Sequence, residues 1–95
     1  KIKVMKTFKD ISWKAHSIKG AIQGLLMLDS GMEMSIVAGK GLYSLPRDAG
    51  DSPDNFLKFE VAIFDEDGNF VMDDGNDVLG WQSRSDIDEL IKKWS

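Results

Sequence analysis

The chain reads as an α+β domain: an antiparallel sheet of four or five strands with one C-terminal helix packed across a face. Three observations predict it. Leu57, Phe59, Val61 and Ile63 alternate with Lys58, Glu60 and Ala62, the period-2 signature of a strand with one face buried. Ile87, Leu90, Ile91 and Trp94 fall at i, i+3, i+4 and i+7, a complete helical stripe. Short apolar runs are separated by glycine-bearing turns, which suits hairpins. Ninety-five residues suffice for a single core, so residues 1–95 form one domain.

In chain order, the first twenty residues are ambiguous, because Phe8, Ile11 and Trp13 suit a strand or a short helix. Ala21 to Leu28 and Met32 to Ala38 flank Asp29-Ser30-Gly31 and predict a hairpin, with Gly31 free to take the positive φ of a tight turn. Met32, Met34, Ile36 and Ala38 share one face of the second strand. Gly24, inside the first, marks a bulge or a close backbone approach. Gly39-Lys40-Gly41 predicts a tight turn into a short strand at Leu42-Tyr43-Ser44-Leu45. Residues 46–55 hold both prolines, a glycine and three aspartates, and form the one long loop.

The strand at 57–63 ends in Asp65-Glu66-Asp67-Gly68-Asn69, and Phe70-Val71-Met72 is expected to return beside it. A second acidic turn, Asp73-Asp74-Gly75-Asn76-Asp77, precedes Val78-Leu79-Gly80-Trp81. Ser83 or Ser85 can cap the final helix, since Asp86 and Asp88 lie three residues beyond each. Acids open that helix and Lys92 and Lys93 close it, in accord with the macrodipole.

Charge is laid out unevenly along this order. Residues 1–47 carry eight Lys/Arg against three acids, a balance of +5, whereas residues 48–77 carry ten acids against Lys58 alone, a balance of −9. The last 18 residues hold three of each, and the chain totals −4. The basic residues are spread singly, while the acids gather in one loop and two turns. A net negative chain argues against direct binding of nucleic acid. The absence of cysteine excludes disulfides, cysteine nucleophiles and thiolate metal sites. No apolar run approaches a membrane span, and lysines interrupt the N-terminal apolar stretches where a signal peptide would need continuity. A cytoplasmic setting is expected.

No catalytic constellation emerges. The acidic turns invite a calcium reading, but their glycines put Ile63, Phe70 or Gly75 where the first ligand of an EF-hand loop belongs, and no helix precedes them. Asp73 and Asp74 are adjacent, yet a Gly/Asn turn is expected to leave both solvated, with ordinary pKa values. His16 is the only histidine and has no nucleophile elbow to serve. Gly39-Lys40-Gly41 lacks the spacing and following helix of a phosphate loop. Neither a cofactor nor a metal is expected. Trp81 is a candidate core residue or exposed anchor.

Asp-Ser-Gly-Met-Glu-Met-Ser-Ile-Val (29–37), Gly-Lys-Gly-Leu-Tyr-Ser (39–44), Phe-Glu-Val-Ala-Ile-Phe-Asp-Glu-Asp-Gly (59–68) and Asp-Val-Leu-Gly-Trp (77–81), followed by an amphipathic helix, together resemble small proteins of bacteriophages and prophages. In those, a Gly-Tyr-x-x-Ser-Val-Val strand, a Tyr-Glu-Val-Ala-Val strand and an Asp-Asp-Val-x-Gly-Tyr segment precede a short C-terminal helix. The likeness runs from Met5, a candidate native start. Trp81 stands where tyrosine is usual, Asn76 replaces the first aspartate, and the loop at 46–55 is longer. The resemblance implies a viral context inside a bacterial host rather than a reaction.

The expectation is therefore a non-enzymatic accessory protein that binds and inhibits a host protein, such as a defence protein. The partner would present a basic nucleic-acid-binding groove to an acidic surface of Asp51, Asp54, Asp65, Glu66, Asp67, Asp73, Asp74 and Asp77, with Trp81 as anchor. The alternative is a homo-oligomeric structural or regulatory module joined through sheet edges and Trp81. The acidic surface requires that the loop and turns share one end of the sheet.

Overall fold

In the computed structural model, which describes residues 6–16, 20–46, 50 and 52–95, the five strands form one antiparallel meander. These are β1 (Ser12–Ala15), β2 (Ile22–Met27), β3 (Glu33–Ala38), β4 (Phe59–Phe64) and β5 (Val78–Gln82), in spatial order β1-β2-β3-β4-β5. Helix α1 (Arg84–Trp94) follows and packs on one face. The fold class expected from the sequence holds, with five strands. No helix among the described residues is long and apolar enough to cross a membrane.

Register explains which residues become core. Ile22 pairs with Ala38, Gly24 with Ile36, and Leu26 with Met34; Met34 and Ile36 then face Ile63 and Val61. These positions share one face and are buried, and Ile87, Leu90 and Ile91 of α1 close over them. Burying side chains of this size contributes about 1.5–3 kcal/mol each. Gly24 proves to be a close approach rather than a bulge. A Cβ there would collide with the Ile11 side chain and come within 2.9 Å of the Trp13 ring.

The ambiguous N-terminus contains both kinds of structure. Thr7 and Asp10 form a capping box around a single 3-10 turn at Phe8–Asp10, and β1 follows after Ile11. Phe8, Trp13, Phe56 and Phe59 then build a chain of tilted ring contacts, with centroids 5.3 to 6.2 Å apart. The Arg84 guanidinium lies over Phe8 and Phe59 and donates to the carbonyls of Phe56 and Pro53. Ser83 is the helix cap and forms the capping box with Asp86. Its hydrogen bonds, led by that from the Ser83 backbone, hold the Asp86 carboxyl below the usual range.

Three local expectations fail. Leu42–Leu45 is not a strand: only Leu45 forms a bridge, to Lys58, because positive φ at Gly39 and Gly41 swings the segment away from ladder geometry. Phe70–Met72 is not a full partner for β4. Phe70 bridges to Phe64 and the Val71 N–H donates to the Ile63 carbonyl at 2.7 Å, and the chain then leaves so that Asp73 can reach the helix and β5 can take that place. Leu57 is off the buried face and 69% exposed. Leu57 and Lys58 both donate their N–H to the Leu45 carbonyl, a bulge-like pairing that breaks the alternation and leaves Phe56 as the buried residue.

Candidate functional site: the two ends of the sheet

The register places every connection at one of two ends. Met27, Glu33 and Phe64 are cross-strand neighbours at one end, which therefore carries the β2–β3 turn and the whole 65–77 segment. The opposite end carries the β1–β2 connection, the long loop and the start of α1. The two acidic turns thus lie together, and the described residues of the long loop lie a strand length away, roughly 20 Å for six residues. The candidate acidic set is split. Asp65, Glu66, Asp67, Asp73, Asp74 and Asp77 share the turn end. Asp54 lies at the far end in a 3-10 turn (Pro53–Asn55), and Asp51 is outside the described residues.

At the turn end, a groove of about 510 Å³ runs between the β2–β3 turn and the turn after β4. Met27 and Phe64 supply apolar lining, and Glu33, Asp65 and Glu66 supply carboxylates. Phe64 is backed by Phe70, with ring centroids 4.7 Å apart. The Asp65 carboxylate also holds its own turn, accepting from the N–H groups of Asp67 (3.0 Å) and Asn69 (2.9 Å). This side-chain turn, with Gly68 at φ 84°, explains why the segment folds locally without help from the core. Asp74 and Asp77 continue the negative edge and are exposed. Nearby, Asp29 lies 3.9 Å from the Lys6 ammonium, which tempers the charge at the β1 side.

Asp73 behaves differently from its neighbours and corrects the expectation of a solvated turn residue. It is only 8% exposed, accepts from Trp94 Nε1 at 2.7 Å and lies 3.1 Å from Lys93 Nζ. Burial pushes its carboxyl up. The hydrogen bonds from Trp94 and Lys93, together with the Lys93 charge, outweigh that and hold it below the usual range. Asp73 therefore fastens the second acidic turn to the end of α1 and is not part of the open acidic surface. Because its folded-state pKa is lowered, its contribution is complete above about pH 4 and is lost as pH falls through the depressed value. Asp73→Asn is expected to cost about 1 kcal/mol at neutral pH and to flatten the loss of stability in acid. Urea unfolding at pH 7 and pH 3 checks it. An equal cost at both values would show that the carboxylate's charge contributes nothing.

At the far end, Trp81 is 53% exposed and stacks beside Tyr43, itself 54% exposed, with ring centroids 5.0 Å apart. Trp81 is therefore an exposed aromatic; it is apart from the groove at the 65–69 turn, but Asn76 of the second acidic turn lines a groove with it and Tyr43. Composition marked it as one of three tryptophans; Tyr43 gave no comparable signal, because their adjacency depends on the path of residues 39–45. Met27, Glu33 and Phe64 were missed for a related reason. Only the register shows that they line the acidic groove.

His16 lines a recess of about 210 Å³ on the sheet face opposite α1, with Gln23, Ser35 and Glu60. Gly39-Lys40-Gly41 forms the expected tight turn, closed by Leu42 N–H donating to the Gly39 carbonyl at 3.1 Å. Among the described residues, no group of three or more His, Cys, Asp or Glu side chains is arranged to hold a metal ion. No family model matches the chain, and no curated protein and no solved structure shows significant similarity to it.

Proposed function

We propose that this protein is a non-enzymatic binding module whose acidic turn end engages a basic surface on another protein. The carrying observation is that Asp65, Glu66, Asp67, Asp74 and Asp77 gather at one end of the sheet, beside a groove lined by Met27, Phe64 and Glu33. A lysine or arginine side chain suits such a groove: its aliphatic stem packs on Met27 and Phe64 while the cation meets the carboxylates. The summed charge steers the encounter. In the phage setting that the sequence resemblance implies, the partner is a host protein, such as a defence protein, whose basic nucleic-acid-binding groove this end occupies and inhibits.

Binding also fits the carboxylates better than catalysis does. Hydrogen bonds that hold parts of the fold together keep the Asp73 and Asp86 carboxyls below the usual range. A general acid needs the opposite displacement.

Reversing Asp65, Asp67, Asp74 and Asp77 to lysine is expected to weaken capture of the host partner by tenfold or more, with the wild-type interaction falling steeply as salt is raised. Affinity capture from host lysate at low and high salt reads both effects. Retention unchanged by the four reversals would remove the acidic end from the interaction.

A further inference from the structure

We propose that β1 is a docking edge for an extended segment of a partner protein, one in which large apolar residues alternate with acids. The sheet has two edges, β1 and β5, and they differ. At β5 the left-handed Trp81, φ 53°, and the register slip between Phe59 and Val61 break the ladder, and the Trp81 N–H is already given to the Tyr43 carbonyl. A further strand does not fit there. β1 pairs with β2 over its whole length without a slip.

Backbone geometry fixes what β1 offers. His16 N–H donates to the Ala21 carbonyl at 3.0 Å, which makes these two a hydrogen-bonded pair. In an antiparallel ladder such pairs alternate with open ones. Ser12 and Lys14 therefore turn their N–H and C=O toward β2, while Trp13 and Ala15 turn theirs outward. Among the described residues nothing bonds these outward groups, and Ser12, Lys14 and Ala15 are exposed. An open row of this kind is completed by another extended strand.

Side chains select the strand. Trp13 belongs both to the edge and to a groove of about 400 Å³, where Phe8, Ile11 and Pro53 supply further apolar lining. A residue laid opposite Trp13 projects to the same face, so a large apolar side chain there can enter the groove. Its neighbours project to the other face, beside Lys14. Lys9 and Arg84 also line the groove, against the single carboxylate of Asp54. Asp10 and Asp88 turn to the backbone N–H groups of Thr7 and Phe8 and do not line it. Among the described residues Lys9, Lys14 and Arg84 form no ion pair, and Arg84 bonds the neutral carbonyls of Phe56 and Pro53. Groove and edge together are net cationic, so acids flanking the apolar residue complement them. A second copy of the chain does not. The register that pairs two β1 strands through both Trp13 and Ala15 sets Lys14 opposite its own copy, and like charges so placed repel.

Fluorescence anisotropy of labelled, end-capped peptides of about seven residues tests this. A peptide alternating Phe or Val with Glu is expected to bind, and the same peptide with Gln for Glu to bind about fivefold more weakly or less. Its glutamates keep the first peptide off the acidic turn end. Ala15→Pro removes one outward N–H that the sheet does not use, and edge strands accept proline at such a position. It should weaken the Glu peptide by about fivefold or more, and Lys9→Glu combined with Lys14→Glu by about tenfold or more. Hydrogen exchange of the unaltered chain gives a readout that no variant's folding can disturb: the Trp13 and Ala15 amides should exchange more slowly once the Glu peptide is added. Absence of binding, equal binding of the two peptides, or unchanged exchange at Trp13 and Ala15 would each overturn the proposal. Slowing that appears with rising protein concentration alone would assign the edge to a second copy and overturn it equally.

Discussion

Phe59→Ala is expected to remove about 3–5 kcal/mol of stability, the usual cost of truncating a buried phenylalanine. Three features put this position at the upper end. Phe59 is completely buried at the start of β4, and its ring touches Phe8, Trp13 and Phe56. The Arg84 guanidinium rests over it, 5.3 Å from the centroid, while bonded to Phe56 and Pro53 carbonyls. Those anchors come from separate segments: the N-terminal turn, β1, the residue after the long loop and the first turn of α1. They cannot all move inward together, so the void stays open. A domain of this size holds about 5–15 kcal/mol in total, and the variant should lose a third or more of its stability. Chemical denaturation reads the change. A loss under 1 kcal/mol would mean that the aromatic cluster collapses freely around the missing ring.

Gly39→Ala is expected to be as damaging, about 3–5 kcal/mol, although it adds one methyl group. Gly39 has φ 142°, a region essentially reserved for glycine. A Cβ there would lie 2.5 Å from the Ala21 Cβ, 2.6 Å from the Ala21 Cα and 3.0 Å from the Gly20 carbonyl. Two of those three atoms are backbone, so no rotamer change relieves the clash. The neighbouring residues cannot yield either. The buried Ser44 hydroxyl accepts from Gly39 N–H at 2.9 Å and donates to its carbonyl at 3.3 Å, which ties both sides of the glycine to the segment carrying Tyr43. Gly68→Ala is the internal comparison: its φ is also positive, but nothing lies within 4 Å of the added carbon. It should cost only the strain of a left-handed residue, about 1–2 kcal/mol. Equal losses at the two positions would show that crowding at Gly39 contributes nothing.

These two sites differ in how far the sequence announces them. Phe59 belongs to an alternating run, and its burial follows from that pattern. Gly39 sits in a glycine pair that predicts a turn, but nothing local predicts that Ala21 passes beneath it. The same division runs through the molecule. β2, β3 and β4 and the stripe of α1 were legible because each repeats a period over several residues. The capping box at Ser83 and Asp86 was legible because its spacing is fixed. Leu57 was misread because the alternation fails at one backbone irregularity, where two N–H groups share the Leu45 carbonyl. Phe70–Met72 looked like a strand because three apolar residues follow a good turn. The chain instead turns away to bring Asp73 to Trp94 and Lys93, partners twenty residues further on.

The fold class, the buried faces of the central strands, the capped helix and the concentration of negative charge in turns can all be read from the chain. Each is encoded by residue type and spacing within about ten positions. The tertiary structure alone decided which turns share an end of the sheet, that Asp54 stands apart from them, that Asp73 is buried, and that Tyr43 meets Trp81. Those outcomes depend on strand register and on contacts across roughly twenty to forty residues, and no local period carries that information.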